Sequence, residues 1–265
     1  RLSVLEKLKR KHGGTIASVL ERLQALRKEQ ASLATSRERL EEIEAAIGGK
    51  LAEYRELRRK LKALRTKAAG ELERLMEKEI AQLGMKKARF AIRLGSVVPA
   101  LADAATVRDQ GTEDAEFLIS PNPGEELRPL RRIASGGELA RVMLALKSVG
   151  KESETQKTLI FDEIDSGIGG KTAEFIAQKL RKLSGRHQVI CITHLPQIAS
   201  AAAYHFRVDK KVEKERTFTL VEGLSREDRV TEIARLVAGS RLTEASLGTA
   251  REMLDRYLGD VRTRS

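Results

Sequence analysis

Three short stretches of this sequence carry residue types that do chemistry: Ser135-Gly136-Gly137-Glu138, Asp162-Glu163 and His194. Ser135 and Glu138 have the spacing of a capping box, in which each side chain covers an orphan N–H of a first helical turn. Two glycines there are costly unless something approaches the backbone closely. A helix start stripped of side chains is also an anion site, so capping and phosphate binding both fit. Asp162 and Glu163 follow the apolar run "TLIF". A carboxylate at the end of such a strand matches the Walker B pattern, which holds Mg²⁺, and a neighbouring carboxylate can deprotonate an attacking water. The competing reading is an acidic helix entrance, with Asp165 or Ser166 as the cap. His194 ends the run "QVICIT". It is either a hydrogen-bond donor to a γ-phosphate or a surface histidine ahead of Pro196.

The elements that position these groups are legible in the periodicity. Leu139, Val142, Met143, Leu146 and Val149 recur at helical spacing after the glycines and define the face expected to be buried. Short apolar runs, "RFAIRL", "EFLISPNPGEELRPL", "TLIFDE", "HQVICIT", "AYHFRV" and "TFTLVEG", read as strands. Helices are expected between several of them, after Gly137, Gly170 and Leu195, and two more over 227–237 and 243–258. Strands alternating with helices predict an α/β layer with a largely parallel sheet.

Upstream lies a different pattern. From Ile16 to Leu75 apolar residues step by three and four, among them Leu23, Leu26, Leu40, Ile43, Ile47, Leu57, Leu61 and Leu64, a heptad seam. His12-Gly13-Gly14 ends a first helix, and Thr35 with Glu38 offers a second capping-box start. The spacing therefore predicts helices over about 1–12, 15–33 and 36–80, the last roughly 65 Å long at 1.5 Å per residue. Gly48-Gly49 marks a weak point within it. The arm gives way to the globular part near residues 81–88, dividing the chain into 1–82 and 83–265.

Composition bounds the function. The formal net charge is +12, a third of the residues are charged, aromatics make up 3% and Trp is absent, which suits long exposed helices beside a modest core. Residues 1–80 hold 20 Lys and Arg against 13 Glu, a net of +7. That excess fits nucleic acid, an anionic membrane or a solvated helix surface. No apolar run reaches the ~18 residues of a membrane span and no signal-peptide pattern opens the chain, so a cytoplasmic protein is expected. The sequence starts at Arg1 without methionine, as a fragment would. The single Cys191 reads as a buried structural thiol. Strand alternation sets His187 and Cys191 on one face and His194 on the other, against a zinc site.

The order of the motifs is more specific than any one of them. "SPNPGEELRPLRRIASGGELARVMLALK", "FDEIDSGIGG" and "THLPQIAS" together closely resemble the RecN family of bacterial SMC-like DNA repair proteins, and the likeness extends to the arm segment "RLSVLEKLKRKHGG". The resemblance implies the C-terminal lobe of an ABC-type ATPase head behind a long antiparallel coiled-coil arm. It implies ATP and Mg²⁺ as cofactors. Ser135, Gly136, Gly137 and Glu138 become the signature motif that meets the γ-phosphate of ATP on an opposing head. Asp162 becomes the Mg²⁺ ligand, Glu163 the catalytic base, Asp165 a dimer-contacting residue of the D-loop, and His194 the switch histidine. The implied partners are DNA, a second copy of the head and an N-terminal lobe, in a nucleoid-associated cytoplasmic protein with no membrane contact.

One departure stands out. No G-x-x-x-x-G-K-[ST] occurs in the chain, and "GSVVPALADA" does not replace it. In this family the phosphate loop belongs to the N-terminal lobe, so the chain is expected to be half of an ATPase. An ABC transporter domain is disfavoured by Glu138 where Gln is usual and by the heptad arm. A zinc-hook relative is disfavoured by an arm without Cys-x-x-Cys. Another SMC-type chromosome-maintenance ATPase, or a non-enzymatic coiled-coil adaptor, is the remaining alternative.

Overall fold

The computed structural model describes residues 2–96, 113–150, 155–213 and 216–258. The chain falls into two compact units, one of 1–65 with 96–113 and one of 66–95 with 114–265. In the first, α1 (Leu2–Lys11) stops where the sequence requires: Gly13 and Gly14 adopt φ of 100° and 82°, and Gly14 N–H donates to Lys9 O at 2.7 Å. Helix α2 (Ile16–Gln82) starts on a reciprocal cap. Ser18 N–H donates to Thr15 Oγ1 at 3.1 Å and Thr15 N–H to Ser18 Oγ at 3.3 Å.

The expected break at residues 34–35 is absent, and one 67-residue helix replaces the two predicted over 15–33 and 36–80. Thr35 Oγ1 donates back to Ala31 O at 3.1 Å and Ser36 Oγ to Ser32 O at 2.8 Å, so both hydroxyls are consumed inside the helix. With no Pro or Gly nearby, capping chemistry alone does not interrupt a helix. The helix also runs through Gly48-Gly49.

The second unit begins with the last four turns of α2. Met76 and Ile80 are buried there with Leu83, and Gly84, at φ 90°, turns the chain into β1 (Arg89–Ser96). Two glutamates of α2 on one helical face take backbone donors of that strand. Glu77 accepts from Phe90 N–H at 3.1 Å and Glu73 from Ile92 N–H at 2.7 Å. Strand β1 joins β2 (Glu113–Ser120), which pairs antiparallel with the two-residue β3 (Arg128–Pro129). The run expected as one strand from 116 to 130 is thus two strands around a turn. Gly124, at φ 85°, lies in that turn. Residues 97–104, which contain most of "GSVVPALADA", lie outside the described residues.

The parallel component of the α/β layer is the pair β4 (Thr158–Phe161) and β5 (Gln188–Cys191), with Ile160 opposite Ile190. Helix α4 (Gly170–Ser184) is the crossover between them. Leu159, Phe161, Val189 and Cys191 pack into the core with Ile176 and Leu180 of α4. The other face stays open, with Ile160 67% and Ile192 58% exposed. Helix α3 (Gly136–Val149) packs beside α4. Its buried side is offset from the expected stripe: Arg141, Val142, Leu144 and Ala145 are buried, whereas Met143 is exposed. A short α5 (Pro196–Ala199) precedes an antiparallel hairpin of β6 (Phe206–Glu213) and β7 (Arg216–Gly223). Helices α6 (Arg226–Ala238) and α7 (Glu244–Leu258) then pack on each other around Ile233, Ala250 and Leu254.

Candidate nucleotide site at the strand ends

The turn after β4 is the centre of the site. Asp162 and Glu163 are exposed, and Asp162 Oδ1 accepts Glu163 N–H at 2.9 Å. Glu163 is the one described non-glycine residue with positive φ, at 56°. An L-residue held there is strained, and such strain collects where a side chain must be aimed. Its carbonyl accepts Ser166 N–H at 2.9 Å, which closes the turn and sends Ile164 and Asp165 inward.

Helix α3 abuts this turn through its glycines. Ser135 Oγ accepts Glu138 N–H at 3.4 Å, the serine half of the expected capping box. A Cβ on Gly136 would collide with Glu163 Oε2, and one on Gly137 would lie 2.8 Å from both Glu163 O and Ser166 Cβ. The first collision is with the end of a flexible side chain, the second with backbone. Gly137 is therefore the stricter requirement, and the pair of glycines is explained by close packing of two loops as well as by an anion site.

Arg141 ties the same two elements together and was missed by the sequence reading. Its Nη1 donates to Ser166 O at 2.9 Å and to Ile164 O at 3.4 Å, and the residue is 7% exposed. Burial pushes its guanidinium below the usual arginine range, with nearby Glu138 opposing. The available signal was an arginine two positions after Leu139 in an otherwise apolar turn, which reads by default as solvated.

His194 follows β5 and is brought to the turn by Asp165. Asp165 Oδ2 accepts His194 N–H at 3.0 Å and the Thr193 hydroxyl at 2.5 Å, and the His194 ring lies beside it with Nδ1 at 3.1 Å. Asp165, expected from the resemblance at a dimer contact, is 5% exposed and faces its own chain's histidine, whose ring is 75% exposed. Cys191 is half-buried; burial first, then Asp165 and Asp162, push its thiol up to about 12. Among the described residues no three His, Cys, Asp or Glu gather into a metal cluster.

A layered lobe with its carboxylates, histidine and helix start at one set of strand ends, carried on a long helix, has the fold of an SMC head with its coiled coil. The crystal structure of the Smc head domain with a coiled coil and joint from Pyrococcus yayanosii matches 90% of this chain and 42% of that one, at a TM-score of 0.53 and 19% identity. In sequence the chain is RecN-like, as its motifs indicated. It is 41% identical over 254 residues to the DNA repair protein RecN of Treponema pallidum, 40% over 255 to that of Deinococcus radiodurans and 35% over 255 to that of Halalkalibacterium halodurans. Each match takes in 96% of this chain and 44%, 43% and 45% of the relative, so the chain spans under half the length of the curated relatives it matches. No family model matches the sequence.

Proposed function

We propose that the chain is the C-terminal half of an SMC-like ATPase of DNA double-strand break repair and recombination, in which ATP binding drives head dimerisation and hydrolysis releases it. On this reading residues 1–82 carry the coiled-coil arm and 83–265 the C-terminal lobe of the head, with the last turns of α2, from residue 66, belonging to the lobe's compact unit. The observation that carries this reading is the joining of three sequence-distant motifs by direct contact, Gly137 against Glu163 O, Arg141 to Ser166 O, and Asp165 to His194.

The residues fit Mg²⁺ and ATP in part. Asp162 is an exposed carboxylate at a strand end, with Oδ1 held by the Glu163 amide, which suits a hard divalent cation. The sequence has no phosphate loop, so ATP fits only with a second lobe supplying one. The open isoleucine face of the β4–β5 pair supports that arrangement, because parallel strands are ordinarily covered on both sides. When bound, Mg²⁺ and ATP supply the electrophilic phosphoryl group. Glu163 accepts the proton of the attacking water, and His194 donates a hydrogen bond to the transferring phosphoryl. Ser135 and the free N–H groups of α3 hold the γ-phosphate of ATP on an opposing head, the Gly136-Gly137 backbone being the surface it approaches. DNA is the substrate of the assembly, and the basic excess of the arm favours it.

The test is Glu163→Gln in the complete protein. ATP binding should persist while turnover falls by about 10²-fold or more, the range expected on loss of a general base. A variant that hydrolyses ATP at the parental rate removes Glu163 from the mechanism.

A further inference from the structure

The buried guanidinium of Arg141 carries a cost that the reading above leaves unexplained. Its hydrogen bonds go to two backbone carbonyls, its buried Nε has no partner among the described residues, and Glu138, one turn back, is the carboxylate that offsets its charge. A charge taken out of water without a full set of partners opposes folding, and an apolar side chain of similar size would fill the same space at less cost. What the arginine adds over such a filler is its grip on the two carbonyls.

Those carbonyls are Ser166 O at 2.9 Å and Ile164 O at 3.4 Å, both in the turn that begins at Glu163. One nitrogen, Nη1, makes both bonds, and it lies 3.3 Å from where a Cβ on Gly137 would stand, between the start of α3 and the turn. Glu163 is held at φ 56°, a conformation that an L-residue keeps only when its surroundings impose it. Ser166 is gripped through both of its backbone groups, its N–H by Glu163 O at 2.9 Å and its carbonyl by Arg141. The strained turn is thereby fastened to the helix.

We propose that Arg141 is a positioning residue for Glu163, fastening the turn that carries the base to the helix whose start faces an opposing head. This rests on the proposed ATPase reading, in which Glu163 acts on the nucleotide of its own head and the start of α3 on that of the other. The two tasks concern two nucleotides, yet Arg141 makes their carriers one rigid piece. Seating of α3 on the opposing head then sets the base of the same chain. Loss of Arg141 harms the site on its own head and spares the one across the interface.

Amide exchange of the ¹⁵N-labelled chain, read by NMR without nucleotide, measures the grip. In Arg141→Met, which replaces the guanidinium by an apolar side chain, exchange at Ser166 should rise about tenfold or more, as expected when a hydrogen bond from a charged group is lost, while α4 amides exchange as in the parent. Unchanged exchange at Ser166 in the folded variant overturns the proposal. Should that variant not fold, Arg141→Lys decides: an ammonium on a shorter stem keeps the charge and loosens the hold on the carbonyls, so Ser166 exchange must still rise, and exchange equal to the parent overturns it.

In the complete protein Arg141→Met should lower kcat about tenfold or more with KM for ATP unchanged, because the base is misplaced and binding is not. Mixed dimers locate the lesion. An Arg141→Met head paired with a Glu163→Gln head meets an intact α3 start and supplies its own Glu163, so its site should remain slow. The matched pair of a Ser135→Arg head with a Glu163→Gln head keeps one intact site and sets the rate for comparison. Recovery of the Arg141→Met pair to that rate places Arg141 at the opposing nucleotide and overturns the proposal. Raised Ser166 exchange in a protein without ATPase activity would instead leave the grip of Arg141 intact and remove the proposed function.

Discussion

Along one helix the same apolar spacing meets two fates. In the first unit the seam of α2 stands open, with Leu23, Leu26, Leu40, Ile43, Ile47, Leu57 and Leu64 all between 42% and 66% exposed. In the second unit Met76 and Ile80 continue that spacing and are fully buried against α4 and β1 residues. Period identifies the face a helix must cover and says nothing about whether the cover lies in the same chain. The lobe supplies its own; the arm, by its leucines, calls for another helix. The isoleucine face of β4–β5 makes the same demand within the lobe.

Large-to-small substitutions should separate the two regions most strongly. Ile80→Ala should cost about 2–5 kcal/mol, the range for deleting buried aliphatic groups, read by hydrogen exchange of β4 and α4 amides under increasing urea. Leu40→Ala in the same chain should change stability by less than about 0.5 kcal/mol. On the proposed reading, in which the seam meets a partner helix in the complete protein, the cost of Leu40→Ala should rise there to about 1.5–3 kcal/mol. Equal effects at Leu40 in both settings would mean that the seam stays open, and the comparison would collapse.

Glycine-to-alanine exchanges should differ in sign. Gly137→Ala drives a Cβ to 2.8 Å from Glu163 O and should destabilise the lobe by about 1–3 kcal/mol, as overpacking does. Gly48→Ala sits in a helix interior with nothing within 4 Å and should raise the arm's melting temperature, with about 1 kcal/mol of gain. A stabilised Gly137→Ala lobe would remove the close contact between α3 and the Glu163 turn.

The smallest effect tests how closed the lobe is beneath its open face. The Cys191 thiol is raised from an ordinary 9.0 to about 12, so the folded chain keeps its proton where the unfolded chain has lost it. The resulting stability is full below about pH 9 and is lost as pH rises toward 12. Alkylation at pH 8 should be slow in the folded chain and accelerate on adding denaturant. Fast labelling without denaturant would show that the β4–β5 layer opens.

Legibility followed the range of the forces. Local backbone chemistry was readable: the glycine stop at Gly13-Gly14, the Ser135 cap, the strand ends at Asp162 and His194, and the α/β alternation all depend on residues within a turn of one another. Capping was over-read at Thr35, because a hydroxyl able to cap a helix start is equally able to bond the carbonyl four residues back. The stripe on α3 was misplaced by about one position, because Arg141 is buried by what it holds across the fold. A side chain whose partners are backbone carbonyls 23 and 25 residues away has no periodic signature.

The sequence by itself therefore determined the residue types at the site, their order, and the helix and strands that carry them, since these rest on spacing and turn chemistry. Only the tertiary structure decided that Asp165 turns inward to His194, that Glu163 is held at positive φ across the start of α3, and that the two glycines admit that turn. Each of these depends on which loops meet in space, and the meeting is fixed by burial of the core beneath them.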